Sequence, residues 1–250
     1  MSEALSGLDS VLVIIPVRNE AATIAGVVTG LQTLGLRHIR VVDNGSTDGS
    51  DAIAARCGAD IFYEPIPGYG QACWCGLQQI PEAIRWVLFC DGDGSDDLGC
   101  LPEMLAQGSR YDLVLGNRTA TAAGRAVLTP AQRVGNGLAT GLIWLGWGYR
   151  YHDLGPLRLI RRLALERMSM QDRGFGWTVE MQVRAIECRL RICELPVAYR
   201  PRQGGASKIS GTLRGSAQAG AVILTTLGQL YARRLWGRHR GRRRLWGDRP

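Results

Sequence analysis

Residues 11–15, Val-Leu-Val-Ile-Ile, form an unbroken aliphatic run with no polar side chain to turn towards water. A strand of that kind is buried on both faces, so its sheet needs a covering layer above and below. The chain supplies one. Ile24, Val27, Val28, Leu31 and Leu34 recur at helical spacing, with Asn19 placed to cap that helix. Strand-like residues 39–42 follow, then a turn at Asn44-Gly45, a helix over about 47–57, and further strands at 61–63, 87–90 and 113–115. Strands alternating with helices specify an α/β fold, a mostly parallel central sheet with helices on both faces.

Beyond residue 118 the alternation loosens. Residues 130–147 read as a helix, 153–160 as extended, 177–188 as a helix and 192–199 as a strand. Gly204-Gly205 opens a loop, and 211–235 reads as a final helix. The expected organisation is one domain over 1–211, an amphipathic interfacial helix over 212–236, and a basic, disordered tail over 237–250.

In open α/β sheets ligands bind beyond the carboxyl ends of the strands. Here those ends read Pro16-Val-Arg-Asn-Glu20, Asp43-Asn-Gly-Ser-Thr-Asp48 and Asp91-Gly-Asp-Gly-Ser-Asp-Asp97. Acids at three neighbouring strand ends suit a ligand rich in hydroxyls or held through a metal. The dinucleotide fingerprint and the P-loop, both of which cradle phosphate with glycines, are absent, and Gly68-Tyr-Gly70 alone is no substitute. A diphosphate would therefore be met by a cation. Residues i and i+2 of an extended segment project to one side, so Asp91 and Asp93 can face one Mg²⁺ or Mn²⁺, with Ser95 assisting. A calcium loop is excluded, since Asp96 and Pro102 stand where glycine and glutamate are required. An Asp/Gly turn without ligand is the competing reading.

The net charge of +8 is concentrated in the tail, where residues 233–250 hold eight arginines against Asp248 alone. A near-neutral body with a basic tail carrying Trp236 and Trp246 argues for an anionic membrane surface and against nucleic acid; a solubilising tail is the bland alternative. The apolar stretches 138–149 and 219–232 are too short to span a bilayer but long enough to lie in its interface. Seven cysteines, an odd count with no secretory signal, fit a reducing compartment, with Cys90 and Cys193 as core residues. The expected location is the cytoplasmic face of a membrane, peripherally bound.

Asp91-x-Asp93 after a buried strand, Val-Ile-Ile-Pro-Val-Arg-Asn-Glu at the start and Val-Val-Asp-Asn-Gly-Ser-Thr-Asp-Gly second resemble the family 2 glycosyltransferases of the GT-A fold. Gly116-Asn-Arg118, Asp153-Leu-Gly-Pro-Leu-Arg158, Gly176-Trp-Thr-Val-Glu180 and Gly205-Ala-Ser-Lys-Ile-Ser-Gly211 extend the resemblance to the dolichyl-phosphate mannose or glucose synthase group. The match covers about residues 10–215. It implies metal-dependent, inverting transfer of a hexose from a nucleoside-diphosphate sugar to a polyprenyl phosphate. Pro16, Arg18, Glu20, Asp43 and Asp91 would bind the donor, and Asp91, Asp93 and Ser95 the metal. Arg118, Arg133, Arg202, Ser207 and Lys208 would gather the phosphates, with Asp91, Asp93 and Lys208 as the catalytic set. Arg18 and Ser95 depart from the tyrosine and glutamine usual in mannose synthases, which leaves base and sugar open.

Lys208 is the only lysine among 30 basic residues. Its place in the Ser-Lys motif fits a need for a compact point charge on phosphate, which arginine's planar fork does not replicate; chance is the competing reading. Asp153 and Glu180 are candidate bases for a hydroxyl acceptor, Glu180 having a solvent-facing or capping role as its bland reading. A phosphate acceptor needs no base. Three rivals remain: the same fold acting on a soluble or other lipid hydroxyl; a sugar nucleotidyltransferase, which would need a glycine- and lysine-rich loop near the first strand; and a non-enzymatic membrane-surface or nucleic-acid-binding protein driven by the tail.

Overall fold

The computed structural model describes residues 7–202 and 220–234. Its sheet comprises β1 (Val11–Val17), β2 (His38–Asp43), β3 (Asp60–Tyr63), β4 (Trp86–Phe89), β5 (Leu113–Asn117), β6 (Arg158–Arg161) and β7 (Ile192–Pro196). They lie in the order β3-β2-β1-β4-β6-β5-β7. β6 is antiparallel to both neighbours, and every other pairing is parallel. The carboxyl ends of six strands and the start of β6 therefore open on one rim. Chain order reverses between β1 and β4, and the crevice there is where such sheets place their ligands.

Helices α1 (Ile24–Thr33), α2 (Ser50–Arg56), α3 (Tyr69–Gly76), α4 (Leu101–Gln107), α5 (Ala122–Val127), α6 (Pro130–Trp147), α7 (Arg162–Met168) and α8 (Trp177–Glu187) surround the sheet, with α9 over 220–234. Alternation along β1 feeds two cores. Leu12 and Ile14 face α3, α6 and α8, and α9 adds Leu227 and Leu230 to that layer. Val11, Val13, Ile15 and Val17 face α1 and α4 on the other side. Gly76 lets α3 approach, since a Cβ there would lie 2.6 Å from Ile14. α6 starts with a Thr129–Gln132 capping box and Pro130 in its first turn, and ends at left-handed Gly148.

Several expected elements are corrected. Asn19 does not cap α1; it adopts φ 55°, and its Oδ1 accepts from the Thr47 N–H. The chain first turns at Glu20–Thr23, so α1 begins at Ile24 without a side-chain cap. The helix expected from 47 begins at Ser50 because residues 44–49 are tied into the strand-end loops. Residues 153–157 are loop, and the antiparallel strand occupies Arg158–Arg161. β7 stops at Pro196, which has no N–H for the ladder. Cys90 is buried, but Cys193 is only half-buried. Ser207, Lys208, the boundary at 211, both ends of the 212–236 segment and the 237–250 tail lie outside the described residues.

Candidate active site

The loops after β1 and β2 are laced together before they form a site. Ser50 Oγ accepts from the Glu20 N–H at 2.7 Å, and Asp48 accepts from the Ala21 N–H at 3.0 Å. The Asn19 N–H donates to Ser46 Oγ at 2.9 Å. Glu20 and Asp43 are thereby fixed at the rim, both buried. Asp43 Oδ1 accepts from the Gly45 and Ser46 N–H groups, while its buried Oδ2 has no partner among the described residues. Pro16 is half-buried and Arg18 exposed.

Asn44, which the sequence marked only as a turn residue, organises the neighbouring wall. Its Nδ2 donates to the carbonyls of Glu64 and Ile66, and its Oδ1 accepts from the Gly68 N–H. Gly70 lies backbone to backbone on residues 172–174; a Cβ there would meet three of their atoms at 2.8–2.9 Å. That approach sets Tyr69 at the start of α3, with its hydroxyl 3.4 Å from Asp91 Oδ1. Tyr69 is a site residue the sequence reading missed, although the Gly-x-Gly around it was visible.

The acid loop after β4 folds on itself. The Asp91 N–H donates to Asp96 Oδ2 at 2.9 Å, and Asp93 Oδ1 accepts from the Ser95 N–H at 2.9 Å and Oγ at 2.6 Å. Desolvation first, then Asp96 and Asp93, push the Asp91 carboxyl well above the usual carboxylate range. Burial likewise raises Asp96, to about 7. Asp96, known from sequence only as the residue that spoils a calcium loop, is thus part of the cluster. The segment after β7 closes over it: Asp96 bridges to Tyr199, and the Arg200 N–H donates to Ser95 O at 3.0 Å. Arg202 then reaches Glu20 at 2.8 Å and Asp93 at 3.1 Å.

Arg118, at the end of β5, is committed to Asp153. Its backbone N–H and Nε donate to Asp153 Oδ2 at 2.8 Å and its Nη2 to Oδ1 at 2.9 Å, while its guanidinium stacks 4.8 Å from the Tyr199 ring centre. Arg133 lies exposed in the first turns of α6. Arg158 is 1% exposed and donates to the carbonyls of Gly155 and Thr178; burial lowers its pKa to about 10. Glu180 is neither solvent-facing nor a cap. It is buried in α8 and accepts from the Gln171 and Asp172 N–H groups at 2.9 and 2.6 Å, because the 169–176 loop folds down onto that helix.

The donor set fits a hard divalent cation. Burial and the neighbouring Asp96 and Asp93 disfavour ionisation of Asp91, and a cation would relieve both effects. Among the described residues no group of three or more His, Cys, Asp or Glu side chains is placed to hold a metal ion. Mg²⁺ or Mn²⁺ takes few protein carboxylates and fills its shell with phosphate oxygens and water, so a site of this kind would be completed by a bound diphosphate.

A model of glycosyl transferase family 2 matches residues 12–169. An uncharacterized glycosyltransferase of Mycobacterium tuberculosis is 39% identical over 216 residues, covering 83% of this chain and 93% of the relative. The undecaprenyl-phosphate mannosyltransferase of Micrococcus luteus is 30% identical over 225 residues, 83% of this chain and 90% of the relative. Among solved structures, glucosyl-3-phosphoglycerate synthase of Mycobacterium tuberculosis, crystallised with Mn²⁺, UDP-glucose and phosphoglyceric acid, superposes with a TM-score of 0.69 at 21% identity. The superposition covers 92% of this chain and 82% of that one, and the likeness is one of fold.

Proposed function

The chain belongs to glycosyl transferase family 2, and on that premise we propose that it moves a hexose from a nucleoside diphosphate to a polyprenyl phosphate at a membrane surface, with inversion. The observation that carries the acceptor is the outer face of α6 and α9. Val134, Leu138, Trp144 and Leu145 of α6 and Leu224 of α9 are exposed by 43–77%. Neither 130–150 nor 220–234 contains an acid, whereas both contain arginine. An apolar face with cationic flanks suits the interface of an anionic bilayer. α6 also adjoins the rim, since Asn136 Oδ1 accepts from the Leu154 N–H beside Asp153. No helix among the described residues is long and apolar enough to cross a membrane. The Micrococcus luteus relative, an undecaprenyl-phosphate mannosyltransferase, supports the same acceptor class.

In this reading Asp43 Oδ2 accepts an N–H of the nucleobase, and Glu20 lines the nucleoside side. Asp91, Asp93 and Ser95 hold Mg²⁺ or Mn²⁺, which when bound would neutralise the diphosphate leaving group. Arg118, Arg133 and Arg202, with Ser207 and Lys208 from outside the described residues, align donor and acceptor phosphates. An acceptor phosphate oxygen bonds to the anomeric carbon as the bond to the diphosphate oxygen breaks, and the diphosphate keeps the electron pair. A phosphate acceptor is already anionic at neutral pH and needs no base. Asp153 and Glu180 fit that chemistry, since their carboxylates are occupied by Arg118 and by backbone N–H groups.

The test supplies UDP- or GDP-[¹⁴C]hexose, Mn²⁺ and undecaprenyl phosphate, then partitions the reaction between butanol and water. Label entering the organic phase is expected. Donor consumed with the counts left in water assigns a soluble acceptor instead.

A further inference from the structure

Arg202 lies between two carboxylates with different duties. Its Nη1 donates to both oxygens of Glu20, at 2.8 and 3.0 Å, while its Nη2 reaches Asp93 Oδ2 at 3.1 Å. The Glu20 and Asp93 side chains are 7% and 10% exposed, so the three groups meet largely out of water. The guanidinium is not a free surface side chain that happens to swing inward. The Asp96–Tyr199 bridge and the Arg200–Ser95 hydrogen bond fasten the preceding segment to the acid loop itself.

The chemistry at Asp93 makes this contact consequential. Asp93 Oδ1 is occupied by Ser95, through both its N–H and its hydroxyl. Oδ2 is the oxygen left for a cation, and Arg202 is on it. A divalent ion at that oxygen would stand beside a fixed guanidinium, two like charges in a poorly screened place. One of them has to leave.

We propose that Arg202 is the internal counter-ion of the donor site, which holds Asp93 in register with Glu20 and competes with the divalent metal for Asp93. This rests on the reading of Asp91 and Asp93 as metal ligands. Metal entry releases the guanidinium from Asp93, and its planar fork then meets the diphosphate that arrives with the metal. Removing Arg202 therefore has opposite effects on the two ligands. Metal alone binds more tightly, because its competitor is gone. The nucleotide sugar binds more weakly, because a phosphate partner is gone.

The experiment measures Mn²⁺ binding to the full chain without nucleotide, from the EPR signal of free Mn²⁺, for wild type, Arg202→Gln, Arg202→Lys and Asp91→Asn. Arg202→Gln is expected to bind Mn²⁺ at least threefold more tightly than wild type, while its KM for the nucleotide sugar rises at saturating Mn²⁺. Arg202→Lys, whose single ammonium does not bridge both acids, is expected to tighten Mn²⁺ by a smaller factor, and it decides the matter where the glutamine variant does not fold. Unchanged or weaker Mn²⁺ binding in the folded variant overturns the proposal. Asp91→Asn binding Mn²⁺ like wild type, or no Mn²⁺ binding by any variant, overturns the metal reading and this inference with it.

Discussion

The backbone N–H of Asp91 donates to the carboxylate of Asp96 at 2.9 Å, so two acids of one loop are bound to each other where a cation would be the easier partner. Such an arrangement spends stability on a site. Asp91→Asn removes one of the crowded charges and keeps the backbone link to Asp96. It is expected to abolish nearly all turnover with Mn²⁺ present, yet to raise the melting temperature of the metal-free protein by about 2–4 °C, as about 1 kcal/mol does in a chain of this size. Calorimetry in EDTA beside a turnover assay checks both; an inactive variant with lowered melting temperature would contradict the electrostatic account.

Arg118 and Asp153 form a pair whose side chains are 13% and 1% exposed, fastened by three hydrogen bonds. Removing one partner strands the other in a buried place, which costs about 3–5 kcal/mol. Asp153→Ala should therefore lower the urea midpoint sharply. If Asp153 is structural and not the base, the residual activity of Asp153→Asn keeps the wild-type pH profile. A lost limb in that profile would reassign Asp153 to proton transfer.

What could be read from sequence follows from how far each interaction reaches along the chain. β1 was legible because a strand buried on both faces must be apolar at every position, and Asp43 and Asp91 because the first ends β2 and the second lies two residues past β4. Asn19 was misread because its side chain bonds Thr47, which only the fold makes a neighbour. Arg202 meets a partner 182 residues away, a relation that no local pattern encodes. The direction of β6 was equally hidden, since a short apolar run is the same whether its neighbours run with it or against it. Glu180 stood open between a base and a solvent-facing or capping acid, because its backbone partners Gln171 and Asp172 reach it only through the folding of 169–176 onto α8.

Asp112 ties the far ends of three strands. It accepts from the Arg191 N–H, Nε and Nη2 at 2.8–3.1 Å and lies 3.4 Å from Arg161. The Arg191 hydrogen bonds hold its pKa down at about 2. A depressed carboxylate stabilises the fold fully above its unfolded pKa, near 3.9, and that stabilisation fades as pH falls through about 2. Discounted for solvent screening it is about 1 kcal/mol. Asp112→Asn should cost that much in urea unfolding at pH 7, with the gap from wild type narrowing steadily below pH 4. A gap independent of pH would show that packing, not charge, is lost.

The apolar face of α6 offers the last test, because it separates membrane docking from catalysis. Leu138 is 50% exposed and Leu145 77%, on a helix anchored from below by Trp147, which packs on Tyr231 at 4.7 Å, and by the Tyr231 hydroxyl on Leu142 O. Neither leucine supports the core, so Leu138→Glu/Leu145→Glu should leave the melting temperature within about 2 °C, as surface changes usually do. Withdrawing what remains exposed of two leucines into lipid is worth about 2 kcal/mol together, on the order of thirtyfold in partitioning. The variant should therefore lose about that factor in sedimentation with phosphatidylglycerol vesicles, and the added charges should deepen the loss at low salt. Turnover on a short-chain, water-soluble prenyl phosphate should persist, because the acid rim is untouched. Unchanged vesicle binding would exclude this face as the docking surface.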